Sequence, residues 1–557
     1  MCIRDRRRQS ADSSATDPKT RSQNLVISEG ELAKFDQDDL NNGQVELQFG
    51  LNTTNGSIQL QAASLAMKPL VLSKLDPSRK PITVGIDLTT TSLDAIPVAT
   101  PPQGVELNKT AIDFTVSADR NGQSKLFLDL TQVGDDLALS VDDKNGGRKR
   151  KANTQLVYYG IDPDDGTLSS LTYNARHRAG ARFYDTDGNG IADFVSLTFV
   201  DGGLGDTGPA GDGQIHDPST AGVVNLTNVE LIATGKTLLA ADTSNIAPAS
   251  LVLNASLNGR AATSNQIGYV VLDASDTWTF DAIFADLTEL RSRAQTLFST
   301  LESSDVTLAA GTTLSREILL INGQSVRFFE VVDSSLDLLS SASDSRLHIF
   351  SSVGQLNGPV VFSSLSGVSL SLALVTGRDQ GLNALVGQEQ GLAPMLDFTS
   401  FTADQQIVCS LTLAREASFD AVTGFYRALD INGTVWIDPS DLSKGTITPG
   451  QAGTTTAAYG AAALKNRVDS LTGLQVGNRQ TSTRESITLQ ETTYLAPIAQ
   501  VNGNTFVAFA SGNADGIAHF VTLGTNTFGL EDMFGGGDFD YDDQVVGFAF
   551  RSVTTVI

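Results

Sequence analysis

The strongest chemical signal in the chain is the run Asp185-Thr186-Asp187-Gly188-Asn189-Gly190-Ile191-Ala192-Asp193. Oxygen-bearing side chains recur at every second position, and glycines let the backbone turn sharply between them. Calcium takes about six to eight oxygen ligands at about 2.3–2.6 Å, and such a run can wrap one. Asp185, Asp187, Asn189 and Asp193 match positions one, three, five and nine of the helix–loop–helix calcium motif. Gly190 falls at its glycine, and the carbonyl of Ile191 at position seven. Position twelve is Ser196 rather than Glu, so the usual bidentate ligand is missing. The flanks, 181–184 and 194–200, read as strands. A calcium loop between strands is therefore expected, with magnesium disfavoured by its demand for rigid, partly hydrated octahedra. The alternative is an acidic glycine-rich turn without metal. Downstream, Asp201, Asp206, Asp212 and Asp217 offer oxygens to complete this site or to form a second.

A second constellation closes the chain: Glu531-Asp532, then Gly535-Gly536-Gly537-Asp538-Phe539-Asp540-Tyr541-Asp542-Asp543. In an extended backbone Asp538, Asp540 and Asp542 would face one way and the two rings the other. Three like charges on one face repel unless a cation lies among them. The glycines would let backbone carbonyls join, and Glu531, Asp532 and Asp543 are further candidate ligands. The alternative is a charged edge strand that resists aggregation.

Other chemistry finds less support. His177, His216, His348 and His519 are scattered, with no nucleophile-elbow or His-Glu-x-x-His pattern beside them. For His216 a structural hydrogen bond is expected. Ala233-Thr234-Gly235-Lys236-Thr237 fails as a phosphate loop because Glu230 stands where the first glycine must be. With no catalytic motif the chain reads as a non-enzyme, although a carboxylate pair for glycoside hydrolysis stays open among 63 acids. Trp278 and Trp436 are too few for an aromatic-rich sugar platform. Cys2 and Cys409 make neither a disulfide framework nor a zinc pattern, and Cys409 lies in an apolar run that predicts burial.

The elements that must carry these loops are mainly β. Charged residues make up only 18% of 557, below the usual ~25%, while Gly numbers 51. A net charge of -25 disfavours nucleic acid and anionic membranes and favours cations. No run of about 18 apolar residues exists to cross a membrane as a helix. Period-two alternation marks strands at 45–49 and 57–61 around Asn55-Gly56, at 112–116 and 126–130 around Asn121-Gly122, and at 317–321, 326–332 and 368–374. Frequent strands with Asn-Gly and Asp-Gly turns predict multidomain β-sandwiches. An amphipathic helix over about 281–302 is expected from Ile283, Leu287, Leu290, Ala294, Leu297 and Leu301, capped by Thr279 or Asp281. A short Ala-rich helix is expected near 457–464. Arg148-Lys149-Arg150-Lys151 reads as a solvated loop rather than an anion site.

The expected divisions are a disordered or artefactual tail at 1–24 and a β domain at 25–104, truncated if the true N-terminus is missing. A β-sandwich with the Asp-rich loop follows at 105–235, then a β domain with a packed helix at 236–400. A C-terminal β domain with the acidic box takes 401–557. Proline-rich 95–102 reads as a linker.

The stretch from Gly180 to Pro218, with 105–235 around it, looks like a β-rich module that recurs in large bacterial exported proteins. The box Glu531-Asp532…Asp538-Phe539-Asp540-Tyr541-Asp542-Asp543 resembles the C-terminal signature of the domain of unknown function 4114 family. There Asn is frequent at the position of Asp542. These resemblances imply an exported, calcium-associated protein, and the expected role is a structural or adhesive one on the cell surface or outside the cell. Its expected partners are calcium ions and an extracellular glycan or cell-surface component. The rival expectations are an exported hydrolase with structural calcium and an envelope or appendage subunit.

Overall fold

In the computed structural model, residues 98–555 are described with short interruptions, the longest at 131–138, 142–147, 243–249 and 301–313. Ahead of them only the strands Leu25–Ile27 and Val84–Ser92 are described. The expected hairpin around Asn55-Gly56, the Asn121-Gly122 turn, residues 95–97 of the linker, Cys2 and His177 lie outside the described residues.

The fold is mainly β, and among the described residues the named strands all pair antiparallel. Strand Ser315–Ile321 shows the cause: buried and half-buried residues alternate along it, because one face of the pleat looks into a core. Six larger sheets stand as three facing pairs along the chain. In the first pair a sheet centred on Thr110–Ser117, Gln214–Asn225 and Thr154–Ile161 faces one made of Gly180–Tyr184, Phe194–Val200 and Gln123–Asp129. Phe114 meets Phe199 edge-on across the gap at 5.3 Å. In the second, Ser325–Val331 and Gln266–Leu272 face Ser250–Asn258 and Ser369–Leu374 over a core that includes Phe328, Phe362 and Leu253. In the third, Tyr494–Val501 and Ala421–Ala428 face Gln405–Arg415 and Gln544–Thr555 around Phe425, Phe548 and buried Cys409.

Several local expectations are corrected. The long helix is two short ones, Phe280–Ala285 and Leu287–Arg293. Thr279 caps the first, its hydroxyl accepting the Ala282 N–H. Asp286 breaks the run: it leaves the helical region, and its carboxylate accepts the Thr288 and Glu289 N–H groups to start the second helix. Ala294 is extended, so Leu297 is buried as part of strand Gln295–Ser299. Strands Ser315–Ile321 and Ser325–Val331, consecutive in the chain, lie in two different sheets. Residues 233–237 are a tight hairpin turn, with Thr234 paired to Thr237 and Gly235 at φ 60°. The Ala-rich helix spans Thr456–Lys465.

The basic cluster is also corrected. Arg148–Arg150 is a strand, and Arg150 is buried, reaching Asp379 at 2.6 Å. The same Asp379 oxygen accepts the Ala192 N–H, and the Asp379 N–H donates to the Gly190 carbonyl. The Asp185 N–H donates to the Gln380 carbonyl. The connection between the second and third sheet pairs is thereby fastened to the Asp-rich loop of the first. Tyr184 packs on Phe401 at 5.8 Å, and Ser196 donates to the Ser400 carbonyl, which extends this contact. Removing one partner of a buried ion pair costs about 3–5 kcal/mol, whereas apolar replacement of both is close to neutral. Asp379→Ala should therefore lower the urea midpoint clearly, and Arg150→Met with Asp379→Leu should lower it less than either single change.

Candidate metal centre

In the Asp-rich loop the backbone takes up the carboxylates. Asp185 accepts the N–H groups of Gly188 (2.7 Å), Asn189 (3.2 Å) and Gly190 (2.6 Å). Asp193 accepts the N–H and hydroxyl of Thr186. Asp187 accepts the Asn189 N–H, and Asn189 accepts that of Ile191. Burial raises the Asp185 and Asp193 carboxyls above the usual range, and these N–H groups oppose it. Asp201 ties down the Gly211 and Gly213 N–H groups, and Asp206 those of Gly202, Gly208 and His216. His216 makes the expected structural bond, Nε2 to Asp113 at 2.9 Å. The flanking strands are as expected, Gly180–Tyr184 and Phe194–Val200.

The C-terminal box differs. Strands Thr527–Leu530 and Gln544–Thr555 pair, Gly529 opposite Val545, so the loop between them leaves and re-enters one sheet. That register brings Glu531 and Asp532 against Asp542 and Asp543. Among the described residues, oxygens of three carboxylates come within 4.8 Å of one another in two groups: Glu531, Asp532 and Asp543, and Glu531, Asp538 and Asp540. Glu531 belongs to both, and Asp542 to neither. Glu531 and Asp532 are buried, at 0% and 3% exposure. The Asp532 N–H donates to Asp543 at 2.7 Å, but Asp532 Oδ2 is buried with no hydrogen-bond partner.

The box is not the extended ladder its alternation suggests. Phe539 and Tyr541 stand at φ 60° and 59°, in the left-handed region that bulky residues avoid. The chain turns back at each ring, which gathers Asp538 and Asp540 round Glu531 and leaves Asp542 behind, its N–H on Asp540. Glu531 fixes the coil by accepting the Met533 and Phe539 N–H groups. A Cβ on Gly537 would meet Glu531 Oε1 at 2.7 Å, so a side chain there would push that carboxylate aside.

Charge crowding shows in the acidities. Burial pushes Asp532 up to about 6, opposed by the nearby Arg415 guanidinium. Burial and the neighbouring Asp540 push Asp542 up to about 7. Burial, with Asp532 and Glu531 close by, pushes Asp543 up to about 8. Glu531 is raised by burial as well. His519, one of the four scattered histidines, and Asp515 brace the site. His519 Nδ1 lies 2.6 Å from the Glu531 carbonyl, Nε2 lies 3.0 Å from Asp515, and the ring stacks on Phe506. Asp515 also accepts the Gly535 N–H. No motif of fixed spacing links 515 and 519 to 531; only the sheet register does.

These raised pKa values fix the sign of a pH effect. Between the ordinary carboxyl value of 3.8 and about 8, the folded chain holds protons that the unfolded chain has released. Their stabilisation is complete at low pH and is lost as pH rises through the folded values. In chelator the thermal midpoint should fall between about pH 4 and pH 8. In excess calcium, scanning calorimetry should find that fall reduced or abolished. No family model matches the chain and no curated protein matches it, so the function is read from the geometry.

Proposed function

We propose that the chain is a calcium-stabilised β-sandwich protein of the cell surface or exterior, with a structural or adhesive role. The ion sits in the C-terminal box, on Glu531, Asp532 and Asp543, with Asp538 and Asp540 as a second set of oxygens round the same glutamate. The observation that carries this is the Asp532 oxygen, buried and unpartnered beside two other carboxylates. A buried anion without a partner is expensive, and a hard cation at that point would supply the missing contact. Abundant oxygen donors, no clustered His or Cys, and the net charge of -25 favour calcium over a transition metal.

The role follows from linkage. An ion that binds only the folded chain stabilises it by about 2.7 kcal/mol at a hundredfold excess over Kd. Where calcium is plentiful, as outside cells, the crowded loop closes and the third sheet pair is locked. The Asp185 loop then serves as the joint to the first sheet pair.

Thermal unfolding of the full chain in calcium, in magnesium and in chelator tests the reading. The midpoint should rise in calcium well beyond magnesium, and Asp532→Asn and Asp538→Asn should each cut that rise while remaining folded in chelator. An unchanged midpoint, or an equal rise in both variants, contradicts it.

A further inference from the structure

Between the second and third sheet pairs lies a half-open cleft of about 270 Å³. Its wall on one side is Asp333, Ser334 and Arg346; on the other are Phe539 and Tyr541 of the acidic box. The volume is just under the ~300–1,000 Å³ of ordinary small-molecule pockets.

The backbone singles this cleft out. Among the described residues seven non-glycine residues have positive φ, and three of them, Asp333 (50°), Phe539 (60°) and Tyr541 (59°), line it. Asn and Asp tolerate that region, but Phe and Tyr do not, and such conformations cost about 1–3 kcal/mol each unless the surroundings hold them. Here they are held. The Phe539 N–H donates to Glu531 at 3.0 Å, the Tyr541 hydroxyl donates to the Ala518 carbonyl at 3.0 Å, and the Asp333 N–H donates to Asn265 Oδ1 at 2.8 Å.

The facing groups define a chemistry. The Asp333 side chain is exposed and makes no hydrogen bond among the described residues. It can accept two hydroxyls. The Arg346 guanidinium forks on Asp344 and turns its remaining nitrogen to Ser334 at 3.1 Å, so its charge is balanced while it still donates. The half-buried Phe539 ring presents an apolar surface opposite. Asp333, Asp337 and the box repel an anion, and the polar wall disfavours a purely apolar guest. We propose that the cleft binds one uncharged, polyhydroxylated ring, such as a glycan residue, with Asp333 and Arg346 reading hydroxyls and Phe539 covering the apolar face of the ring. The cleft stands on geometry alone; the ordering of its aromatic wall through Glu531 rests on the calcium reading.

Saturation-transfer NMR on the full chain tests this with methyl glucoside, methyl galactoside, methyl mannoside, N-acetylglucosamine and spermidine, in calcium and in chelator. At least one sugar should receive saturation, and its affinity should fall about fivefold or more in Asp333→Asn and in Phe539→Ala. Asn tolerates the left-handed backbone, so Asp333→Asn keeps the test independent of folding. No transfer to any sugar, transfer to spermidine alone, or sugar binding unchanged in both variants overturns the proposal. Terbium luminescence in the same samples separates the two readings. Terbium binding without sugar binding sinks the cleft and spares the metal site. Sugar binding without terbium binding sinks the metal site and spares the cleft.

Discussion

The structure depends most on how it tolerates like charges that folding forces together. Glu531, Asp532, Asp538, Asp540, Asp542 and Asp543 lie on one loop whose ends are paired in the same sheet. Sheet register places Glu531 and Asp532 beside Asp542 and Asp543, and the left-handed turns at Phe539 and Tyr541 bring in Asp538 and Asp540. Burial removes the water that would screen Glu531, Asp532, Asp542 and Asp543, so their neutral forms are favoured. Protons or a cation can relieve that crowding, and the protons are given up as pH rises towards about 8. The loop is thus a place where stability is tied to a dissolved species.

The two acidic loops use the same residue types to different ends. In 185–193 the backbone curls so that its own N–H groups meet the carboxylates, and the loop is satisfied internally. Its outer face then docks on Asp379 and Gln380. In the C-terminal box the backbone offers fewer donors: Glu531 takes the Met533 and Phe539 N–H groups, Asp540 and Asp543 one each, and an Asp532 oxygen none. The two loops differ in their supply of N–H donors, which residue identity alone does not reveal.

That contrast also explains what was legible in the sequence. Strands announced themselves wherever one face is buried, as at Thr110–Ser117, Ser325–Val331 and Ser369–Leu374, because period two is imposed by the pleat. The helix over 281–302 was over-extended because Leu297 has helical spacing yet is buried from a strand; the Asp286 cap outweighed the stripe. Arg150 gave no sign of burial, since its partner Asp379 is 229 residues away. In the box, the acidic residues were legible but their grouping was not. Alternation suggested Asp538, Asp540 and Asp542 together, while left-handed turns at Phe539 and Tyr541 grouped Asp538 and Asp540 with Glu531 instead.

The most direct test is anomalous scattering from crystals of the full chain grown in calcium. The account requires a peak bonded to oxygens of Glu531, Asp532 and Asp543 at about 2.3–2.6 Å, with the Asp532 oxygen among its ligands. Crystals grown in calcium that show only water against that oxygen, and no peak in the box, would contradict it.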